Sequence, residues 1–210
     1  MTRARILAIS ISWAVLSAPL IYARDLSRFQ EFQFGMSLPA VAKQADMQLS
    51  EARLILKRPA VIQELDWQRA RSAVFSPQVD PVSEVLFSFY NGQLFRMVVS
   101  YDRDKTEGLT DEGMVAAISA RYGIATRPAG KVILFSSSQV YNESEKVIAL
   151  WEDSEYSLNL FRSSYQPIFG MLVFSKRLDA LAQDATAEAI RLDELEAPQR
   201  EIEHQQKLNQ

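Results

Sequence analysis

The stretch from Glu84 to Tyr101 constrains the fold more than any other. Val85, Phe87 and Phe89 alternate with Leu86, Ser88 and Tyr90, Asn91-Gly92 intervenes, and Phe95, Met97, Val99 and Tyr101 then alternate with Arg96, Val98 and Ser100. Alternation with period two is what a strand with one covered face requires. Asn-Gly tolerates the positive φ angles of a type I′ turn, whose twist matches that of its flanking strands. The chain is therefore expected to carry an antiparallel hairpin over 84–101. Strand-like runs at Glu51–Lys57 and Ile62–Gln68 precede it. Others follow at Lys131–Val140, Lys146–Glu152, Glu155–Ser163 and Ile168–Phe174, with only Asp153-Ser154 between the second and third of these.

A helical pattern stands before each group of strands. Leu38, Val41, Ala42 and Ala45 share one helical face, with Ser37 placed to cap and Pro39 in the first turn, where its missing donor costs little. After a charged connector from Asp102 to Gly108, Thr110 can cap a second helix whose stripe is Met114, Val115, Ile118 and Tyr122 and whose stop is Gly123. The fold class expected is α+β: tandem helix-plus-antiparallel-meander units over 24–105 and 106–175. Gly35-Met36 recurs as Gly113-Met114, and Trp67 as Trp151, each tryptophan next to acidic residues. Leu178, Leu181, Ala182, Ala185, Ala189, Leu192 and Leu195 then step by three and four through a stretch free of glycine and proline. That predicts a long amphipathic helix over 176–197, closing the sheet or pairing with a partner helix, and a frayed polar tail over 198–210.

The first residues read as a targeting segment. Arg3 and Arg5 precede the uncharged apolar run Ile6–Tyr22, and Ala23 offers a small residue for cleavage, so 1–23 is expected to be a secretory signal peptide. An uncleaved anchor is the alternative, because roughly 17 or more apolar residues can span a bilayer. The expected location is outside the cytoplasm, periplasmic or extracellular. Cysteine is absent from all 210 residues, which excludes disulfides, thiolate metal sites, cysteine nucleophiles and a lipid-bearing cysteine. Stability then rests on packing alone. A formal net charge of −3 gives no electrostatic footprint for nucleic acid.

Few residues invite catalysis. The single histidine, His204, lies in the polar tail, away from any serine that it could activate. Asp102-Arg-Asp-Lys-Thr-Glu-Gly108 faintly resembles a calcium loop, but its glycine comes late and the twelfth position is Gly113. Paired carboxylates such as Glu64 with Asp66, or Glu152 with Asp153, offer the only acid–base chemistry, so a secreted carboxylate-dependent hydrolase is the competing reading. Asn142-Glu-Ser144 fits a glycosylation triplet. None of these motifs implies a cofactor or a metal.

Binding has more candidates. Trp67 and Trp151 could pack in the core or anchor a partner. Tyr90, Arg96, Asn159, Phe161 and Arg162 alternate with core positions, so they are expected on a solvent face whose mixture of aromatic, amide and guanidinium groups suits recognition.

The segment Phe34-Gly-Met-Ser-Leu-Pro-Ala-Val41 resembles the opening of the SmpA/OmlA-type outer-membrane accessory proteins, in which a Gly-Met-Ser/Thr turn starts the first helix before a short meander. The wider group includes the tandem α/β repeat of the beta-lactamase inhibitor protein. The chain departs from it in lacking the family's lipid-bearing cysteine and a clear second helix over Glu51–Ala60. The resemblance implies a non-catalytic envelope or secreted module that binds another envelope protein, without a lipid anchor.

Overall fold

The computed structural model describes residues 25–68, 81–126, 131–134, 143–163 and 168–208. The signal segment, Asn142 and most of the strand expected beyond Leu134 lie outside them. The chain opens with a small ribbon, β1 (Arg28–Phe29) and β2 (Phe32–Gln33), followed by α1 (Leu38–Gln44). The first meander is β3 (Arg53–Leu56), β4 (Ile62–Gln68), β5 (Val82–Tyr90) and β6 (Gln93–Tyr101). Two helices, α2 (Arg103–Thr106) and α3 (Asp111–Tyr122), lead to the second meander: β7 (Lys131–Leu134), β8 (Glu143–Glu152), β9 (Tyr156–Arg162) and β10 (Phe169–Ser175). The last helix is α4 (Lys176–Leu208). This is an α+β protein with the helix-plus-meander order and the long final helix that the sequence pattern predicts.

The two meanders form one sheet, in the order β3-β4-β5-β6-β10-β9-β8-β7, joined where β6 pairs antiparallel with β10. Val98 stands opposite Leu172 at that junction. Two unbroken apolar rows cross it on one face. Trp67, Val85, Val99, Met171, Leu160 and Ala149 face one another in succession, and so do Leu65, Phe87, Met97, Val173, Leu158 and Trp151. All twelve are buried. Cross-strand pairs of large side chains are the unit of sheet stabilisation, and here they run the width of six strands.

That face is covered by Leu26, Phe29, Phe32 and Phe34 of the ribbon, Val41 and Ala42 of α1, and Met114, Ile118 and Tyr122 of α3. The predicted caps are in place. Ser37 Oγ accepts from Ala40 N–H at 3.4 Å, Thr110 Oγ1 accepts from Gly113 N–H at 3.1 Å, and Gly123 ends α3 at φ 81°. Trp151 is seated by a hydrogen bond from its indole Nε1 to Gly123 O at 2.8 Å, which ties the end of α3 to β8.

The opposite face is closed by α4, which crosses β10, β6 and β5 and reaches the β3–β4 turn, where Glu196 pairs with Arg58. Its buried positions are Leu178, Asp179, Ala182, Ala185 and Ala189, one helical stripe. Leu178 and Ala182 pack with Ile62 and Phe95. Alanines let the helix axis approach the sheet closely, at the cost of little apolar area per residue. The helix also runs on through Pro198 to Leu208, where the sequence predicts an end near 197 and a frayed tail over 198–210. Proline inside a helix removes one donor and crowds the carbonyl four residues back, a cost of about 3 kcal/mol. The Gln, Glu, Arg and Lys around it are good helix formers that continue the turn on both sides.

Candidate functional site

The alternation that puts Trp67 and Trp151 in the two apolar rows leaves neither exposed: both are fully buried core residues. Of the other sequence candidates, Tyr90, Arg96, Asn159 and Phe161 lie on the second face, which is largely covered, whereas Arg162 is on the first face in line with Leu158 and Leu160. Arg96 donates from Nε to Asp179 Oδ1 of α4 at 2.8 Å and also makes a close Nη2 contact to the same oxygen. The two side chains are 11% and 7% exposed, and Gln183 Nε2 holds the other Asp179 oxygen at 2.6 Å. Tyr90 is half-buried beside Ile62 and Phe95 under α4. Asn159 is buried and donates to Ser157 Oγ at 3.0 Å. Phe161 is buried against Leu172 and Val147, its ring lying over Gly170. Arg162 reaches Asp111 at the start of α3 at 3.3 Å and lies 4.3 Å from the centre of the Phe169 ring. The expected solvent face is therefore largely covered, with Tyr90 left partly exposed. Tyr90 and Arg96 lie together beneath α4, Asn159 and Phe161 lie on β9, and the tryptophans are on the other side of the sheet. Alternation separates two faces but says nothing about what covers the second one.

The acidic pairs are mostly structural. Glu152 Oε2 accepts from Lys176 Nζ at 2.7 Å, and Asp153 Oδ1 accepts the N–H groups of Glu155 and Tyr156 in the β8–β9 turn. Glu64 is buried within 3.9 Å of Arg53. Asp102, the first residue of the calcium-like stretch, caps α2 by accepting from Asp104 N–H at 3.0 Å. One carboxyl pair is chemically unusual. Burial first, then the charge of Asp66 and a hydrogen bond to it, raise Glu84 above the ordinary glutamate range. Two carboxyls in direct contact share a proton, whereas glycosidic acid–base pairs stand roughly 5 to 10 Å apart.

Among the described residues, two accessible surfaces stand out. The first is the β3 edge of the sheet. Leu54 and Ile55 on the strand are 56% and 40% exposed, and Leu49 and Val61 beside it are exposed as well. An outer strand offers unpaired N–H and C=O groups, and an edge meant to stay single usually carries charge or proline between its ends. This one opens on Arg53 and then carries Leu-Ile-Leu, with Lys57, Arg58 and Pro59 in the turn beyond it.

The second surface is a cleft of about 460 Å³ where the turn before α1, the start of β6, the β8–β9 turn and the start of α4 converge. Its apolar wall is Phe34 stacked on Tyr156, with ring centres 5.4 Å apart and planes 15° from parallel. Gly35, at φ 86°, lets the chain turn there and donate to Leu94 O at 2.8 Å. The polar lining includes Ser175, Arg177, Gln93 and Glu155. Burial, followed by the charges of Glu155, Asp153 and Asp25, holds the Tyr156 hydroxyl above its usual range, so it is a neutral donor at physiological pH. Sequence reading missed both surfaces. The cleft joins residues from four separate segments, and only the Leu54-Ile55-Leu56 run marked the edge. Among the described residues, no helix is long and apolar enough to cross a membrane.

Comparison with protein-family models, curated proteins and solved structures finds no match for this chain.

Proposed function

We propose that the protein is a non-catalytic binding module of the cell envelope, exported by its first 23 residues, which docks a partner protein along the β3 edge. One observation carries this reading: Leu54 and Ile55 are exposed on the outer strand, flanked by Leu49 and Val61, in a chain whose other large apolar side chains mostly pack into clusters. A partner strand laid against β3 would satisfy its free backbone groups while covering these side chains, the mode of β-strand addition. Export fits the basic-then-apolar start of the chain and the absence of cysteine from a fold held by packing. We also infer that the two meanders arose by internal duplication. The strand order reads the same inward from either edge, and the two apolar rows exchange under that correspondence, Trp67 with Trp151 and Met97 with Met171.

The test is site-specific photo-cross-linking of the full chain in its native envelope. A photoreactive residue at position 55 is expected to give one discrete adduct, lost when Leu54 is replaced by lysine. A photoreactive residue at Ile124, which is more exposed but remote from β3, is expected to give none. Equal adducts from both positions, or none from either, would remove the edge as the docking surface.

A further inference from the structure

The cleft at the start of α4 has features that the edge-docking reading does not use. A helix of this length leaves its first N–H groups without partners four residues back, and the aligned peptide dipoles make that end electropositive. Lys176 N–H is taken by Glu155 O at 2.8 Å. The next two residues, Arg177 and Leu178, line the cleft. Ser175 occupies the capping position and is only 7% exposed, yet its hydroxyl makes no hydrogen bond among the described residues, although it too lines the cleft. The residue is buried, but its hydroxyl opens onto the cleft, where a ligand can reach it.

Acidic residues favour a first turn, and α4 has one there, Asp179, but it is turned to Arg96 and Gln183 under the helix, and the charged residues before it in the turn are Lys176 and Arg177. Lys176 is neutralised by Glu152 and by Asp153 O. Arg177 lines the cleft, is exposed, and makes no ion pair among the described residues. A guanidinium, an unpartnered hydroxyl and two free amides around one concavity form an anion receptor. The Phe34–Tyr156 stack beside them provides a flat apolar wall.

We propose that this cleft binds a carboxylate attached to an apolar or aromatic body, the carboxylate held by Arg177, Ser175 and the start of α4, the body lying on Phe34 and Tyr156. A monoanion matches the site better than a phosphate. Glu155 lines the same cleft and the charges of Asp153 and Asp25 reach it too, so a dianion would meet one cation against three carboxylates, and a monoanion meets the smaller repulsion. The same chemistry is presented by a free aromatic acid and by the C-terminus of a peptide ending in an aromatic residue.

The experiment is calorimetric and NMR titration of the full chain with phenylacetate, with a short peptide ending in phenylalanine, with that peptide as its C-terminal amide, and with inorganic phosphate. The acids are expected to saturate one site and to shift the Ser175, Arg177 and Tyr156 signals. Arg177→Gln should weaken binding roughly tenfold or more, and Ser175→Ala roughly threefold, the losses expected for a charged and a neutral hydrogen bond. Neither group bonds elsewhere in the fold, so both variants should unfold where the parent does. Glu155→Gln should tighten binding. Saturation by both acids assigns the site to small carboxylates, and saturation by the peptide acid alone assigns it to peptide C-termini. The proposal is overturned if the amide binds as well as the acid, if phosphate binds more tightly than either, if no probe saturates, or if Arg177→Gln leaves affinity unchanged.

Discussion

The two meanders share one sheet and one pair of apolar rows, but they close the other face of that sheet in opposite ways. Two residues along from the central Val98–Leu172 pair, β6 carries Arg96 and β10 carries Gly170. Arg96 stands opposite Ser88, and Gly170 opposite Phe161. In the first meander a small residue and a long cation leave room above the sheet, and α4 fills it, bringing Asp179 down to the guanidinium. In the second meander the large residue faces a glycine on β10, and the Phe161 ring folds over Gly170 to form a local cluster with Leu172 and Val147. The same position in the sheet is thus sealed once by a recruited helix and once from within. Arg96–Asp179 fixes where α4 lies, because an alanine stripe supplies little positional preference of its own.

The largest effect should come from breaking that ion pair. Asp179→Asn removes the charge that the buried Arg96 guanidinium bonds under α4, at a cost of about 3–5 kcal/mol in urea denaturation. The double variant Arg96→Met with Asp179→Leu should recover most of that loss, since apolar residues of similar volume often replace a buried pair without penalty. A double variant as unstable as the single one would show that the pair does more than hold the helix.

The second meander should respond to size and not to charge. A Cβ added at Gly170 would overlap the Phe161 ring, so Gly170→Ala is expected to cost about 1–3 kcal/mol, the range for overpacking. Adding Phe161→Leu should return part of it, a coupling that neither change shows alone. Additive losses would mean that the ring and the glycine are not one device.

A smaller effect is expected from Glu84 on β5. Its raised pKa means that the folded chain holds this proton more tightly than the unfolded chain does. The stability it contributes is therefore complete in acid and is lost as pH rises from the ordinary glutamate range through the raised value. Denaturation midpoints between about pH 4 and 7 should show Glu84→Gln flattening that loss and leaving the variant more stable than the parent at neutral pH. A slope identical to the parent's would remove Glu84 from the account. The smallest effect belongs to the surface pair at the far end of α4. Arg58→Ala should barely move the denaturation midpoint, and the small shift should fade in salt, because both partners are well exposed.

Local rules read from the sequence held where the physics is local. The Asn91-Gly92 turn, the Ser37 and Thr110 caps, the Gly123 stop and the strand at Ile62–Gln68 all rest on residues within a few positions of one another. What the sequence could not show was which non-local partner covers a face. Arg96 and Asn159 sit at positions that would be wet in a single-faced sheet, and Arg96 is dry only because Asp179, 83 residues away, folds back over it. The cleft was hidden for the same reason, since Phe34, Gln93, Tyr156 and Arg177 have no sequence pattern in common. The extension of α4 beyond Pro198 is not legible in the sequence because one residue that breaks helices stands among good helix formers, and the local pattern does not say which prevails.

The contrast between the two closures is tested most directly by native-state amide hydrogen exchange on Asp179→Asn and Gly170→Ala side by side. If α4 is held by Arg96 while the second meander seals itself, Asp179→Asn should lower protection along α4 from Leu178 to Leu192 and leave β8, β9 and β10 close to the parent. Gly170→Ala should then lower protection in β9 and β10 and spare α4. If both variants instead lose protection uniformly across the sheet and the helix, the two faces open as one unit, and the separation between a recruited and an internal closure is wrong.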